Sequence, residues 1–303
     1  MPTLSETPVS NSPRAPRLGP GAIAVVCILT GVVLLAIVAA ALAGREAPPA
    51  AATVTPSPIV ATATPTPTPV PTPTPTPEPT PEPAVPFDFT QPVPESAPVE
   101  TGYFDDAVFI GDSRTDGLKL YGGVDGADFI QHTGISVFDV GTKEVIRIDG
   151  EKYTVLEALT LKQYKKIYLM LGVNELGYNH DEGFRQEYAG FVDKLRELQP
   201  DAILYLQNLV SINPDKAKAN DQPYYVTNEK IADYNTIIAD IAADKHAALV
   251  DVNAALVGED GILPREGTTD GVHFTKDYYV KWYDYLKIHA VDADAYWAGQ
   301  APQ

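Results

Sequence analysis

The chain has 303 residues, 28 of them proline, a single cysteine and a formal net charge of −18. One cysteine excludes an intramolecular disulfide and a cysteine-built metal site, and an acidic balance of this size disfavours phosphate backbones, so no nucleic-acid partner is expected. Most of the proline precedes residue 100, which leaves roughly 200 residues, enough for one well-buried domain.

Residues 1–20 are polar, and Arg14 and Arg17 stand near their end. Residues 21–43 form an unbroken apolar run without a charge, long enough as a helix to cross a bilayer. Ala41-Leu42-Ala43 offers a cleavage site, but the run is too long for a signal-peptide core, so a single-pass signal anchor is expected. The flanking arginines place residues 1–20 in the cytoplasm and everything after Ala43 outside the cell. Residues 44–99 are Pro/Thr/Ala-rich, with TPTPTPVPTPTPTPEPTPEP at their centre. Such a segment cannot bury a core; it reads as a disordered, semi-rigid stalk of roughly 150 Å at full stretch.

Over residues 100–303 strand and helix signals alternate, which marks a folded domain. Strands are predicted at 107–110, 127–131, 166–171, 202–206 and 248–252. A hairpin over 145–153 turns on Asp149-Gly150. Helices are predicted to start at Ser113, to run from a Thr154 cap to about Gln163, and to cover 181–198, 228–245 and 276–289, the last closing the fold. Strands alternating with helices imply a parallel sheet, so the fold expected is α/β: a three-layer α/β/α flavodoxin-like domain, preceded by one transmembrane helix and a Pro/Thr-rich linker.

Four short motifs fall on loops after predicted strands. Gly111-Asp112-Ser113 ends the first strand and places a serine on the first turn of a helix, where developing negative charge is favoured. Gly134 comes after the second strand, in His132-Thr133-Gly134-Ile135. Asn174 comes after the third, in Gly172-Val173-Asn174-Glu175, and Asp270 and His273 precede the last predicted helix. These are the parts that acyl transfer needs: a nucleophile, a base, a group orienting the base, and oxyanion donors. Gly-Asp-Ser, a Gly block, Gly-x-Asn and Asp-x-x-His, in that order over residues 105–290, resemble the SGNH (GDSL-type) hydrolase family.

The resemblance implies that Ser113 is the nucleophile, His273 the general base and Asp270 its orienting partner. The oxyanion hole would be the backbone N–H groups of Ser113 and Gly134 and the side-chain amide of Asn174. Two positions depart from the family pattern. Arg114 stands where Leu is usual, which leaves the chemistry untouched, and Glu175 stands where Asp is usual. Ser136 and Ser211 lack a strand-to-helix setting, and His132, His180, His246 and His289 lack partners at metal-ligand spacing. Asp112 has two readings, a contact to the site or a hydrogen bond to its own turn. Tyr224 and Tyr225, in a Pro-containing stretch, are candidates to line a sugar or acyl pocket.

The expectation is therefore an extracellular, membrane-anchored serine esterase acting on short acyl esters, O-acetyl above all, on cell-surface or wall carbohydrate. No metal or organic cofactor is expected. Two alternatives stand beside it: an O-acyltransferase acting on a wall polysaccharide, and a non-catalytic carbohydrate-binding domain on a stalk.

Overall fold

The structure is a computed structural model that describes residues 84–300. The expected cytoplasmic tail, the anchor at 21–43 and the stalk up to residue 83 lie outside the described residues. Among the described residues no helix is long and apolar enough to cross a membrane.

Five strands form one parallel sheet: β1 (Ala107–Gly111), β2 (Asp128–Gln131), β5 (Lys166–Met170), β6 (Ile203–Gln207) and β7 (Ala248–Val250). Their spatial order is β2-β1-β5-β6-β7. Counting only these five, that is the 2-1-3-4-5 order of a flavodoxin-like sheet. The register pairs Gly111 with Gln131 on one side and with Met170 on the other. Every residue of β1, β5 and β6 is buried. Strands buried on both faces read as continuous apolar runs, which is how Val108-Phe109-Ile110 and Ile167-Tyr168-Leu169-Met170 read.

Two groups of helices cover the sheet. In one, α1 (Ser113–Tyr121) and α6 (Val252–Leu256) pack against α7 (Lys276–Lys287). Trp282 of α7 is wholly buried, and its indole N–H donates to Gln207 of β6 at 2.8 Å. In the other, α2 (Val155–Leu159) and α5 (Asn228–Asp244) pack against α3 (Asp181–Leu198). The buried side of α3 is Phe184, Tyr188, Phe191, Val192 and Leu195, at helical spacing. The hairpin forms as β3 (Ile146–Ile148) and β4 (Glu151–Tyr153), with Asp149 and Gly150 both at positive φ.

Several expected elements are shorter, and three helices have no counterpart in the sequence reading. The Thr154 cap is made, its side chain accepting from Glu157 N–H, but the helix stops at Leu159 rather than Gln163. The last strand ends at Val250 because Asp251 caps α6, the first of the three additional helices. The other two are α4 (Pro214–Ala219) and α8 (Ala293–Gln300), so α7 does not close the fold.

The boundary at residue 100 is corrected as well, since residues 87–99 belong to the folded body. Val93 N–H donates to Leu249 O at 2.8 Å along the edge of β7, and Pro92 bridges the same residue. Ser96 and Val99 donate to Ile288 and Lys287, and Phe87 donates to Ala295. Phe89 and Val93 are buried, Phe89 stacking on His246 and meeting Tyr296 edge-on. Proline is tolerated here because an edge strand can spare an N–H. The segment also covers a sheet edge that would otherwise be open to pairing. Isolated Phe and Val among prolines carry no periodicity, which hides this strap in the sequence.

Candidate active site

The site forms where chain direction reverses from strand to helix at the carboxyl edge of the sheet. β1 and β5 are adjacent, yet the loops at their ends diverge, leaving a crevice at the switch point of the strand order. Gly111 is needed there for close approach. A Cβ on it would lie 2.5 Å from Met170 O and 2.0 Å from Thr115 Oγ1. Asp112 then caps α1, its Oδ1 accepting the Arg114 N–H at 2.9 Å. Its carboxyl is wholly buried, and burial pushes it above its ordinary range, only partly offset by the Arg114 N–H and the guanidinium charge. Of its two sequence readings, the structure shows the turn-capping bond.

Ser113 is the first residue of α1. Its Oγ lies 2.8 Å from His273 Nε2, and His273 Nδ1 lies 2.7 Å from Asp270 Oδ2. Asp270 Oδ1 accepts from the backbone N–H of Val272 at 2.9 Å and of His273 at 2.8 Å. Burial would raise this carboxyl, but those two N–H groups, the His273 ring and its charge together hold it below the ordinary value. The Asp-x-x-His spacing is thus a tight turn folded around one carboxylate. Thr268 Oγ1 closes the turn, donating to His273 O at 2.6 Å and accepting from Gly271 N–H at 2.9 Å. Gly271 is at φ +98, with the backbone of Ala217 where a Cβ would go.

Opposite lie the groups expected as oxyanion donors. Ser113, Gly134, Asn174 and His273 line one cavity of about 230 Å3, with Thr133, Val173 and Tyr225. The Ser113 N–H opens the helix and has no intrahelical partner. Asn174 Nδ2 donates one hydrogen to Ile135 O at 2.7 Å, which leaves its second hydrogen for the cavity. Glu175 is 2 % exposed and accepts the Val137 N–H on Oε1 at 2.5 Å. It therefore ties the Asn174 loop to the Gly134 loop. Burial raises its carboxyl to about 8, against the pull of the Val137 N–H and with a smaller push from Asp112.

Three other sequence readings are refined. Arg114 does bear on the site. It is wholly buried, its Nε donating to Val272 O at 3.1 Å and its Nη1 to Val210 O at 3.0 Å, with the guanidinium 5.1 Å from the Phe274 ring centre. It links the serine turn to the histidine turn through the residues on either side of His273. Tyr224 and Tyr225 do not share a pocket: Tyr225 lines the serine cavity, whereas Tyr224 stands 92 % exposed beside another. Ser136 Oγ donates to Asp139, and both ring nitrogens of His273 are already engaged by Ser113 and Asp270. Gln222 is a site residue that the sequence does not announce. Its Nε2 donates to Asp270 Oδ2 at 3.2 Å from a loop with no motif around it. No group of three or more His, Cys, Asp or Glu suited to a metal occurs among the described residues.

Among solved structures, similar folds include a protein of Streptococcus pneumoniae, with 22 % identity, 60 % of this chain and 82 % of that one covered, and a TM-score of 0.49. Another is a GDSL-like lipase from Bacteroides thetaiotaomicron, at 17 % identity, coverage of 61 % and 85 %, and a TM-score of 0.43. A third is Est24, a carbohydrate acetylesterase from Sinorhizobium meliloti, at 15 % identity, coverage of 60 % and 96 %, and a TM-score of 0.44. No curated protein matches the chain. The GDSL-like Lipase/Acylhydrolase family model matches residues 109–280, more than half of the chain and every loop of the site, so the chain belongs to this family of ester hydrolases.

Proposed function

We propose that the protein is a serine esterase that removes short acyl groups, acetyl above all, from carbohydrate at the outer side of a cell membrane. The observation that supports this most directly is the hydrogen-bonded chain from Ser113 Oγ through His273 to Asp270. Ser113 Oγ attacks the ester carbonyl while His273 Nε2 takes its proton. Asp270 holds the ring by Nδ1 and stabilises the imidazolium that forms. The oxyanion is met by the N–H groups of Ser113 and Gly134 and by the Asn174 amide. His273 then protonates the departing alcohol, and water, deprotonated by the same ring, releases the acid. A cavity of about 230 Å3 suits an acyl group of a few carbons better than a fatty chain. The outside location rests on the apolar run at 21–43 and its arginine flank.

Two measurements test the reading. A fluorophosphonate probe should label the wild-type chain and not Ser113→Ala. A series of p-nitrophenyl esters should show kcat/KM highest for short acyl groups and falling as the chain outgrows a cavity of this size. Labelling that survives Ser113→Ala would overturn the assignment of the nucleophile. A preference for long chains would overturn the short-acyl reading.

A further inference from the structure

The loop between α4 and α5 has the serine cavity on one side and a larger cavity, of about 550 Å3, on the other. Gln222, Pro223 and Val226 line both. The smaller cavity lies below the size that encloses a whole drug-sized ligand, and the larger lies within that range. An ester has two halves, so if the acyl half fills the smaller space the alcohol half must lie outside it, and the cavity that shares three lining residues with it is the one considered for that half.

The chemistry of the larger cavity says what kind of alcohol fits. Its lining includes two buried apolar groups, Ile212 and Ala217. Its walls carry Lys218, Asp221 and Glu229, all exposed, whose side chains make no hydrogen bond or ion pair among the described residues. At its rim Tyr224 presents an aromatic ring that is 92 % exposed. That ring meets Tyr225 edge-on at 5.5 Å, and Tyr225 is seated against Gly177, where a Cβ would come within 3.0 Å of it. A flat aromatic face beside unengaged donors and acceptors matches a ligand with one C–H face and a hydroxylated edge. A fatty chain would desolvate the three charged groups without replacing their hydrogen bonds. A polyanion would meet a chain of net charge −18.

We propose that this cavity is the subsite for the alcohol half of the ester, and that the alcohol is a neutral glycosyl unit resting on Tyr224 and hydrogen-bonded by Lys218, Asp221 and Glu229. The assignment rests on the esterase reading under Proposed function. It adds a link between the two cavities. Gln222 lines both cavities and donates to Asp270 Oδ2, so a residue on the border of the subsite also touches Asp270.

Binding can be measured without turnover. The full chain carrying Ser113→Ala is titrated calorimetrically with xylotriose, cellotriose and triacetylchitotriose, and separately with octanoate. At least one trisaccharide should bind in the millimolar range or tighter, and Tyr224→Ala on the same background should weaken it about five- to tenfold, the scale of one aromatic contact. On the chain with Ser113 intact, Tyr224→Ala should lower kcat/KM for an acetylated trisaccharide by a similar factor more than for p-nitrophenyl acetate, mainly through KM. Binding of octanoate with no trisaccharide binding would overturn the subsite, as would trisaccharide binding indifferent to Tyr224→Ala and Lys218→Ala. Either failure leaves the fluorophosphonate result standing, so loss of the subsite and loss of the esterase reading are separate outcomes.

Discussion

The turn that carries Ser113 and the loop that carries Tyr224 flank the same crevice and are built on opposite principles. On the serine turn, Asp112 and Arg114 on either side of Ser113 are wholly buried and bonded to backbone groups. On the Tyr224 loop most side chains face solvent, Gln222 alone bonding to Asp270 while Tyr225 lines the serine cavity. A reacting group must be held to within a fraction of an ångström, which needs neighbours locked by burial and packing. A surface that selects a partner needs reach, and can be rebuilt without disturbing the chemistry. The first region should therefore answer mutation with large losses of rate, and the second with changes of preference.

The largest losses are expected for the reacting groups. Ser113→Ala and His273→Ala should each lower kcat on p-nitrophenyl acetate by about 10⁴-fold or more, and the double variant should be little worse than either, because the pair acts as a unit. Losses that multiply would show two independent roles and break the triad assignment. Asn174→Ala comes next, at about 10²–10³-fold in kcat with KM nearly constant, the usual cost of one oxyanion donor. A loss below threefold would place the amide away from the oxyanion.

Arg114→Leu restores the residue usual in the family, so it tests whether this chain has come to depend on its arginine. The substitution leaves the carbonyls of Val210 and Val272 without their donor and Asp112 without its nearby positive charge. Leaving two buried carbonyls without a donor costs about 1–3 kcal/mol each, which denaturant unfolding would detect. Arg114→Lys keeps the charge but loses the fork, so it should fall between the two. If Arg114→Leu unfolds at the wild-type midpoint, the guanidinium only fills space.

The same contrast explains what can be read from the chain. Ser113, His273, Asp270 and Asn174 sit on turns whose geometry demands particular residues, so they appear as motifs with fixed spacing. Parallel strands buried on both faces also announce themselves as apolar runs. Arg114 is visible in the sequence but its weight is not, because its value lies in reaching carbonyls 96 and 158 residues away. Gln222 carries no signal, since its contact with Asp270 arises only from the tertiary fold. Residues 87–99 are hidden for the opposite reason: their composition matches the Pro/Thr-rich stretch before them, and docking on β7, the end of α7 and α8 sets them apart. A chain starting at residue 100 should therefore lose the buried Phe89 and Val93 and unfold several degrees below one starting at residue 84, by a few kcal/mol of lost apolar burial. Equal Tm values would mean that the strap contributes nothing.

The last effect expected is a slope with pH, and it tests the floor of the serine region. Glu175 has an ordinary value of 4.5 and is raised to about 8, chiefly by burial. Between these two pH values the folded chain keeps a proton that the unfolded chain has released. Stability must then fall as pH rises across that window, and the loss is complete above about 8. Asp112, also raised, adds a slope of the same sign. Asp270 does not interfere, because its carboxyl is held below its ordinary 3.8, and the stability it contributes is lost only as pH falls through that lower value. Glu175→Gln keeps an oxygen for the Val137 N–H and removes the titration. Its Tm should change less than that of the wild type from pH 5 to 8 and should equal or exceed it at pH 8. Some slope should persist from Asp112. Scanning calorimetry of both chains at three pH values decides the matter. Parallel Tm curves would show that Glu175 is ionised throughout, and that the bond joining the Asn174 and Gly134 loops is a carboxylate bond at every pH at which the protein works.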